Sequence, residues 1–183
     1  TRNIFQIITP LALLMCVYLL AIFNQKINTS GILTFIFIYF TGLIAEIIGV
    51  NTGYIFGNYS YGSSLGPRIL GTPLIIGINW LFLAYTSTSL TDHFFSRPRL
   101  TLLIAPVMMV AYDIILERAA SVMDMWYWEL GSPPIKNYIT WYIMGLLMVS
   151  LIKISGVKTK NPLSGVLLLS QFIFLFLVSL FVG

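Results

Sequence analysis

Charge is scarce in this sequence. Only 9% of the 183 residues are charged and only six are acidic, against about 25% charged residues in soluble domains. With 58% hydrophobic residues and a mean hydropathy of +0.92, the chain has too little polar surface for an ordinary water-soluble protein. Histidine and cysteine occur once each. A single cysteine closes no internal disulfide, and Cys16, inside an apolar run, reads as a small packing residue. The histidine, His93 in TDHFFSRPR, has no second His or Cys near it, so no metal site is expected. Ser-His-Asp and S-x-x-K arrangements lack plausible partners. The glycines and tyrosines of NTGYIFGNYSYG read first as turns, or as part of a re-entrant loop lining a cavity; no lysine follows the glycines in the pattern of a phosphate loop. The net charge of +4 and pI of about 9.3 come from Lys and Arg scattered between apolar runs. That pattern argues against nucleic acid as a partner and for the lipid bilayer.

Long apolar runs are abundant. Six reach the roughly 20 residues that a helix needs to cross a bilayer: about 4–23, 32–50, 73–90, 100–117, 137–154 and 163–182. The first is too long for the core of a signal peptide, about 7–15 residues, and is read as a span. Period-two alternation of the barrel kind is absent. The expected fold is therefore all-α: a single domain over residues 1–183, a polytopic membrane helix bundle of about six transmembrane helices. Pro10 and Pro106 are expected to kink their helices. Loops after the first, third and fifth runs carry Lys26, Arg97, Arg99, Lys153, Lys158 and Lys160, against Arg2, Arg68, Arg118 and Lys136 on the other side. The excess places the first side in the cytoplasm and both termini outside.

Whichever side is inside, this connectivity gathers unusual residues at one end. Glu46 lies one turn before the second run ends, and Asp113 and Glu117 lie at the end of the fourth. The third and fifth runs start there, with Asn79, Trp80, Asn137 and Trp141, and two long loops cap the same face. Little chemistry is left for the opposite end beyond Asp92 and His93. A carboxylate within a span is costly and often functional, although Glu46 is also placed to snorkel or to bond between helices. Asp113 and Glu117, four residues apart, share a helix face. Two like charges there repel unless one is protonated or a cation intervenes, and a neutral carboxyl is what a general acid requires. The competing reading is a helix-end ion pair with Arg118 or Lys136. Trp80, Trp126, Trp128 and Trp141 suit a membrane interface. An aromatic wall beside acids also suits a reaction through a carbocation, and in an extended MWYWE both indoles would face one way.

Two blocks carry a family resemblance. The first is E-x-x-G-x-x-T-G-x-x-F-G-x-Y from Glu46 to Tyr59, followed by L-G-x-x-x-x-G-T-P into the third run. The second is Y-D-x-x-x-E with Tyr112, Asp113 and Glu117, then W-x-W at 126 and 128, then P-x-x-N-Y-x-x-W from Pro134 to Trp141. Together they resemble the integral membrane carotenoid-biosynthesis family of carotenoid hydratases, over about residues 30 to 150. The chain departs from it at Glu117-Arg118, where an Asp-Pro pair is common.

The resemblance implies addition of water across the terminal C1–C2 double bond of a linear carotenoid end, without a redox cofactor, in the cytoplasmic membrane of a prokaryote. A carboxylic acid would protonate C2, aromatic faces would hold the tertiary cation at C1, and water would add to give a tertiary alcohol. Asp113 and Glu46 would be acid and base in an open order, with Glu117 the third candidate and Asn137 or a second carboxylate orienting the water. Trp126, Trp128 and Trp141 would line the pocket, with Tyr112, Asn79 and Trp80 as further substrate contacts. The expected partners are the lipophilic carotenoid and the bilayer, with other carotenoid-biosynthesis enzymes or a homo-oligomer left open. A carotenoid cyclase starts from the same protonation and remains an alternative. So do a non-catalytic pigment-binding subunit and a small transporter, the last disfavoured because the acids sit at one end and not at the midplane.

Overall fold

The computed structural model describes residues 2–24 and 27–181, with side chains from Ile8 onward. Lys26, Val182 and the Arg2 side chain, which entered the expectations above, lie outside them. Among the described residues the chain forms six α-helices and four short strands. The order is α1 (Arg2–Ile22), α2 (Thr29–Thr52), β1 (Tyr59–Tyr61), β2 (Arg68–Ile69), β3 (Thr72–Pro73), α3 (Ile75–Phe94), α4 (Pro98–Ala120), β4 (Trp126–Trp128), α5 (Ile135–Ile154) and α6 (Ser164–Phe181). The all-α membrane bundle is thus observed. Four helices, α2, α4, α5 and α6, are each long and apolar enough to cross a membrane. Their outward positions, such as Ile44 and Val107, remain exposed, as surfaces that meet lipid do.

Local chemistry sets the helix ends. Asn28 caps α2, its side chain accepting from the Gly31 N–H at 2.9 Å. The helix ends where Gly53 takes a left-handed conformation, φ 66°, with its N–H on the Gly49 carbonyl. Pro98 opens α4, where its missing N–H is not needed. Both α1 and α4 continue through their prolines.

The centre belongs to α3, which touches each of the other five helices. It carries Thr86, Ser87, Thr88 and Ser89, all buried. Small side chains there let the surrounding helices approach. The hydroxyls of Thr86 and Thr88 turn back onto the carbonyls of Phe82 and Ala84, at 2.7 and 2.6 Å. Such a helix lacks the apolarity to cross alone, but its neighbours supply the apolar exterior.

The two ends of the bundle differ. At one, Asp92 of α3 accepts from Lys153 Nζ at 2.8 Å, Thr101 at 2.7 Å and Thr159 at 2.6 Å. That cluster ties α3, α4, α5 and the α5–α6 connection together. At the other end the two long loops pair. β1 and β4 run antiparallel with Tyr59 opposite Trp128 and Tyr61 opposite Trp126. Ser63 and Ser64 fasten to Asp124 beyond the strand ends, the Ser64 hydroxyl at 2.8 Å from the Asp124 carbonyl. This two-stranded lid over the bundle was not part of the sequence expectation.

Candidate active site

Beneath the β1–β4 lid lies a small chamber of about 30 Å³. That is room for one or two waters, since about 10–15 Å³ of such volume holds one. Glu46, Asp113 and Glu117 all line it, together with Asn137. The convergence expected from connectivity is therefore real: α2 and α4 bring the three carboxyl groups to one end of the bundle.

Each carboxyl group has a different set of partners. Glu46 is buried and nearly saturated. Its Oε2 accepts from the Tyr59 hydroxyl at 2.5 Å and the Tyr61 hydroxyl at 2.8 Å, and its Oε1 from the Trp80 indole N–H at 3.0 Å. Glu117, half-buried, accepts both indole N–H groups of the W-x-W segment on Oε2, Trp126 at 3.0 Å and Trp128 at 2.7 Å. The extended β4 backbone puts both indoles on the chamber side. Asp113 is fully buried. Its Oδ2 accepts from Asn137 Nδ2 at 2.8 Å, while its Oδ1, also buried, has no hydrogen-bond partner among the described residues. A buried polar atom left unpaired costs about 1–3 kcal/mol, and such atoms in native proteins call for an explanation.

The donors to these acids are hydroxyl, indole and amide groups; among the described residues no cation takes part. Lys136 turns instead to the Gly53 carbonyl at 3.5 Å and the Tyr54 ring at 6.0 Å. Among the described residues the ion pair is Lys153–Asp92, at the far end. The helix-end ion pair considered for Glu117 does not form. Among the described residues no group of three His, Cys, Asp or Glu side chains is arranged to hold a metal ion.

Aromatic rings close the chamber. Trp141 stacks on Trp80 with centroids 4.1 Å apart, and Phe56 lies on the other side of Trp80 at 6.4 Å. Tyr59 leans on Trp128 at 5.0 Å and Tyr61 on Trp126 at 6.1 Å. Tyr59 and Tyr61 are half-buried with their hydroxyls turned inward. Burial and the Glu46 carboxylate hold both phenols well above the usual tyrosine pKa, so they remain donors at any working pH. Phe56 and Tyr59 stand in the first motif block, but sequence reasoning gave neither them nor Tyr61 a role at the site. Its available signal was the Y-x-Y of β1, a period-two match to the W-x-W of β4.

A second, larger cavity of about 270 Å³ adjoins the chamber, with a wall that is mostly aliphatic and is drawn from α1, α3, α4 and α6. Ile76, Asn79 and Trp126 line both spaces. Tyr112 belongs to this cavity and not to the chamber; its hydroxyl donates to Gln171 Oε1 at 2.8 Å. Trp80, among the expected substrate contacts, donates its indole N–H to Glu46 and stacks on Trp141.

A family model described as "Carotenoid biosynthesis protein" matches residues 4–183. The chain belongs to the carotenoid biosynthesis protein family. Within the curated proteins, it is similar to the bisanhydrobacterioruberin hydratase of Haloarcula japonica, 29% identical over 119 residues. That alignment covers 58% of this chain and 39% of the relative, so the chain matches well under half of the relative's length. No solved structure matches. Membership in a carotenoid biosynthesis family agrees with an apolar cavity set against an acid chamber in a membrane bundle.

Proposed function

We propose that the chain is a cofactor-independent carotenoid hydratase, a hydro-lyase that adds water to the terminal C1–C2 double bond of a linear carotenoid end. The observation that carries this reading is the Asp113 Oδ1, unpaired among the described residues and buried at a chamber shared with two better-furnished carboxyl groups. A neutral carboxyl needs one acceptor position and one O–H donor position. Asn137 already donates to Oδ2, which leaves Oδ1 to carry the proton toward the substrate. Asp113 is thus the general acid. Glu46, whose two oxygens accept from Tyr59, Tyr61 and Trp80, is the base.

In the proposed reaction the polyene end occupies the aliphatic cavity, and its terminal double bond reaches the chamber past Ile76, Asn79 and Trp126. Asp113 gives its proton to C2. The π pair forms the new C–H bond and leaves a tertiary cation at C1. Indole and phenol faces attract such a cation, by about 0.5–2 kcal/mol for each well-placed ring. A water in the chamber adds its oxygen to C1 and loses a proton to Glu46, giving the tertiary alcohol. Proton return from Glu46 to Asp113 through the chamber restores the starting state. Glu117, held by Trp126 and Trp128, adds negative potential beside the cation and fixes the aromatic wall. The excess of Lys and Arg at the far end argues that the lid faces the outside of a prokaryotic cytoplasmic membrane.

The test is mass spectrometry of pigments from cells that make lycopene or gamma-carotene and express this chain, beside cells expressing Asp113→Asn. A pigment heavier by one water, missing with the variant, is the expected result. A new pigment of unchanged mass would replace this reading with a cyclase, and no new pigment from either substrate would leave a pigment-binding subunit.

A further inference from the structure

A hydratase of this kind must admit a polyene and a water to the same atoms without flooding the polyene's cavity. We propose that water enters the acid chamber from the loop face, between Tyr59 and Trp128, by a route separate from that of the polyene. The proposal rests on the hydratase reading.

Three spaces stand in series. Outside the β1–β4 lid is an open vestibule of about 500 Å³, bordered by polar residues of two loops and the end of α2, among them Asn51, Thr52, Asn58 and Glu129. It shares Tyr59 and Trp128 with the acid chamber, and no residue with the aliphatic cavity. The aliphatic cavity meets the chamber at Ile76, Asn79 and Trp126. Asp113 therefore has one polar neighbour space and one apolar one, each behind its own wall. The rings of Tyr59 and Trp128 lie 5.0 Å apart, tilted by 41°. Each is tethered on its inner side to a carboxyl group, Tyr59 to Glu46 at 2.5 Å and Trp128 to Glu117 at 2.7 Å. The door is thus held by the groups that use the water. Parting the rings breaks a hydrogen bond on either acid, which keeps the door closed at rest.

This route can be plugged after the protein has folded. Ser60 lies between Tyr59 and Tyr61 on β1, exposed, and borders the vestibule. Strand alternation points its side chain away from the chamber. Ser60→Cys, purified in detergent with bound carotenoid, is assayed before and after reaction with a bulky, charged thiol reagent, and Thr52→Cys is treated likewise. The parent, whose Cys16 lies in α1 at the aliphatic cavity, is treated in the same way as the control. Expected on full modification is a loss of alcohol formation of about tenfold or more, with bound carotenoid, read by its visible absorption, unchanged. Unchanged alcohol formation at both modified positions would overturn the proposal. So would loss of bound carotenoid in step with activity, because the vestibule would then serve the polyene. Absence of alcohol from the untreated parent would instead sink the hydratase reading, and the water route with it.

Discussion

Asp113 and Glu46 differ less in chemistry than in company. One carboxyl group has a single amide donor and a bare oxygen, the other has three donors on its two oxygens. Asp113→Asn keeps the shape and still presents a carbonyl to Asn137, so the fold should survive while the transferable proton is gone. Alcohol formation should fall by about 10²- to 10⁴-fold, the usual weight of a general acid, with the thermal midpoint in detergent nearly unchanged. A variant retaining more than a tenth of the parent rate would move the acid to Glu117. Tyr59 and Tyr61 yield a second expectation. Their pKa values are raised by burial and by Glu46, so the folded state holds protons that the unfolded state releases. Their contribution to stability is intact below about pH 10, the ordinary tyrosine value, and declines above it. Tyrosinate absorbance should therefore show these two phenols silent until the alkaline unfolding transition. Two extra phenols titrating reversibly near pH 10 in the folded protein would contradict the inward hydroxyls.

The face of α2 that carries Glu46 was prepared by glycine. Gly42, Glu46 and Gly49 recur at helical spacing, and each glycine admits a ring. A Cβ on Gly42 would stand 2.7 Å from Trp80, and one on Gly49 2.6 Å from Phe56 and 3.3 Å from the Tyr59 hydroxyl. Gly49→Ala gains about 1 kcal/mol in helix propensity, but a ring held in a packed cage does not yield easily, and overpacking costs about 1–3 kcal/mol. The variant should lose a few degrees of thermal stability and a larger share of activity, because Tyr59 is displaced from Glu46. Parent-like activity would show that the loop can retreat from α2. The helices were legible in the sequence because each coincides with one of the six apolar runs, although α3, with Thr86 to Ser89, is less apolar than the four that are long and apolar enough to cross a membrane. The β1–β4 pair was not. Its strands are three residues long, they are separated by two helices, and Y-S-Y and W-Y-W carry too few residues for period two to stand out. That is why Tyr59 and Tyr61 were read as turn residues and not as donors to Glu46.

At the scale of the whole molecule, the gathering of acids and tryptophans at one end followed from connectivity alone, since α2 and α4 run the same way. The aliphatic cavity did not follow, because it exists only in the packing of α1 against α3, α4 and α6. Tyr112 was assigned to the substrate from its motif, yet only the packing reveals that it serves this cavity and not the chamber. The charge asymmetry gives a topology test. In intact cells a membrane-impermeant thiol reagent should label Ser60→Cys on the lid and spare Lys158→Cys at the basic end; the reverse pattern would turn the protein over. Glu46 takes all its donors from residues before the α3–α4 turn, Tyr59, Tyr61 and Trp80. Asp113 and Glu117 take all of theirs from residues after it, Asn137, Trp126 and Trp128. Across the divide run ring contacts, Trp80 on Trp141, Tyr59 on Trp128 and Tyr61 on Trp126. The protein is thus modular in an unexpected sense: each half carries its own reagent ready-made, and the ring contacts together with the β1–β4 ladder act as the spacer that sets one reagent against the other. Cut at the α3–α4 turn and co-expressed, the two fragments should recover the chemistry only where the β1–β4 ladder and those ring contacts re-form.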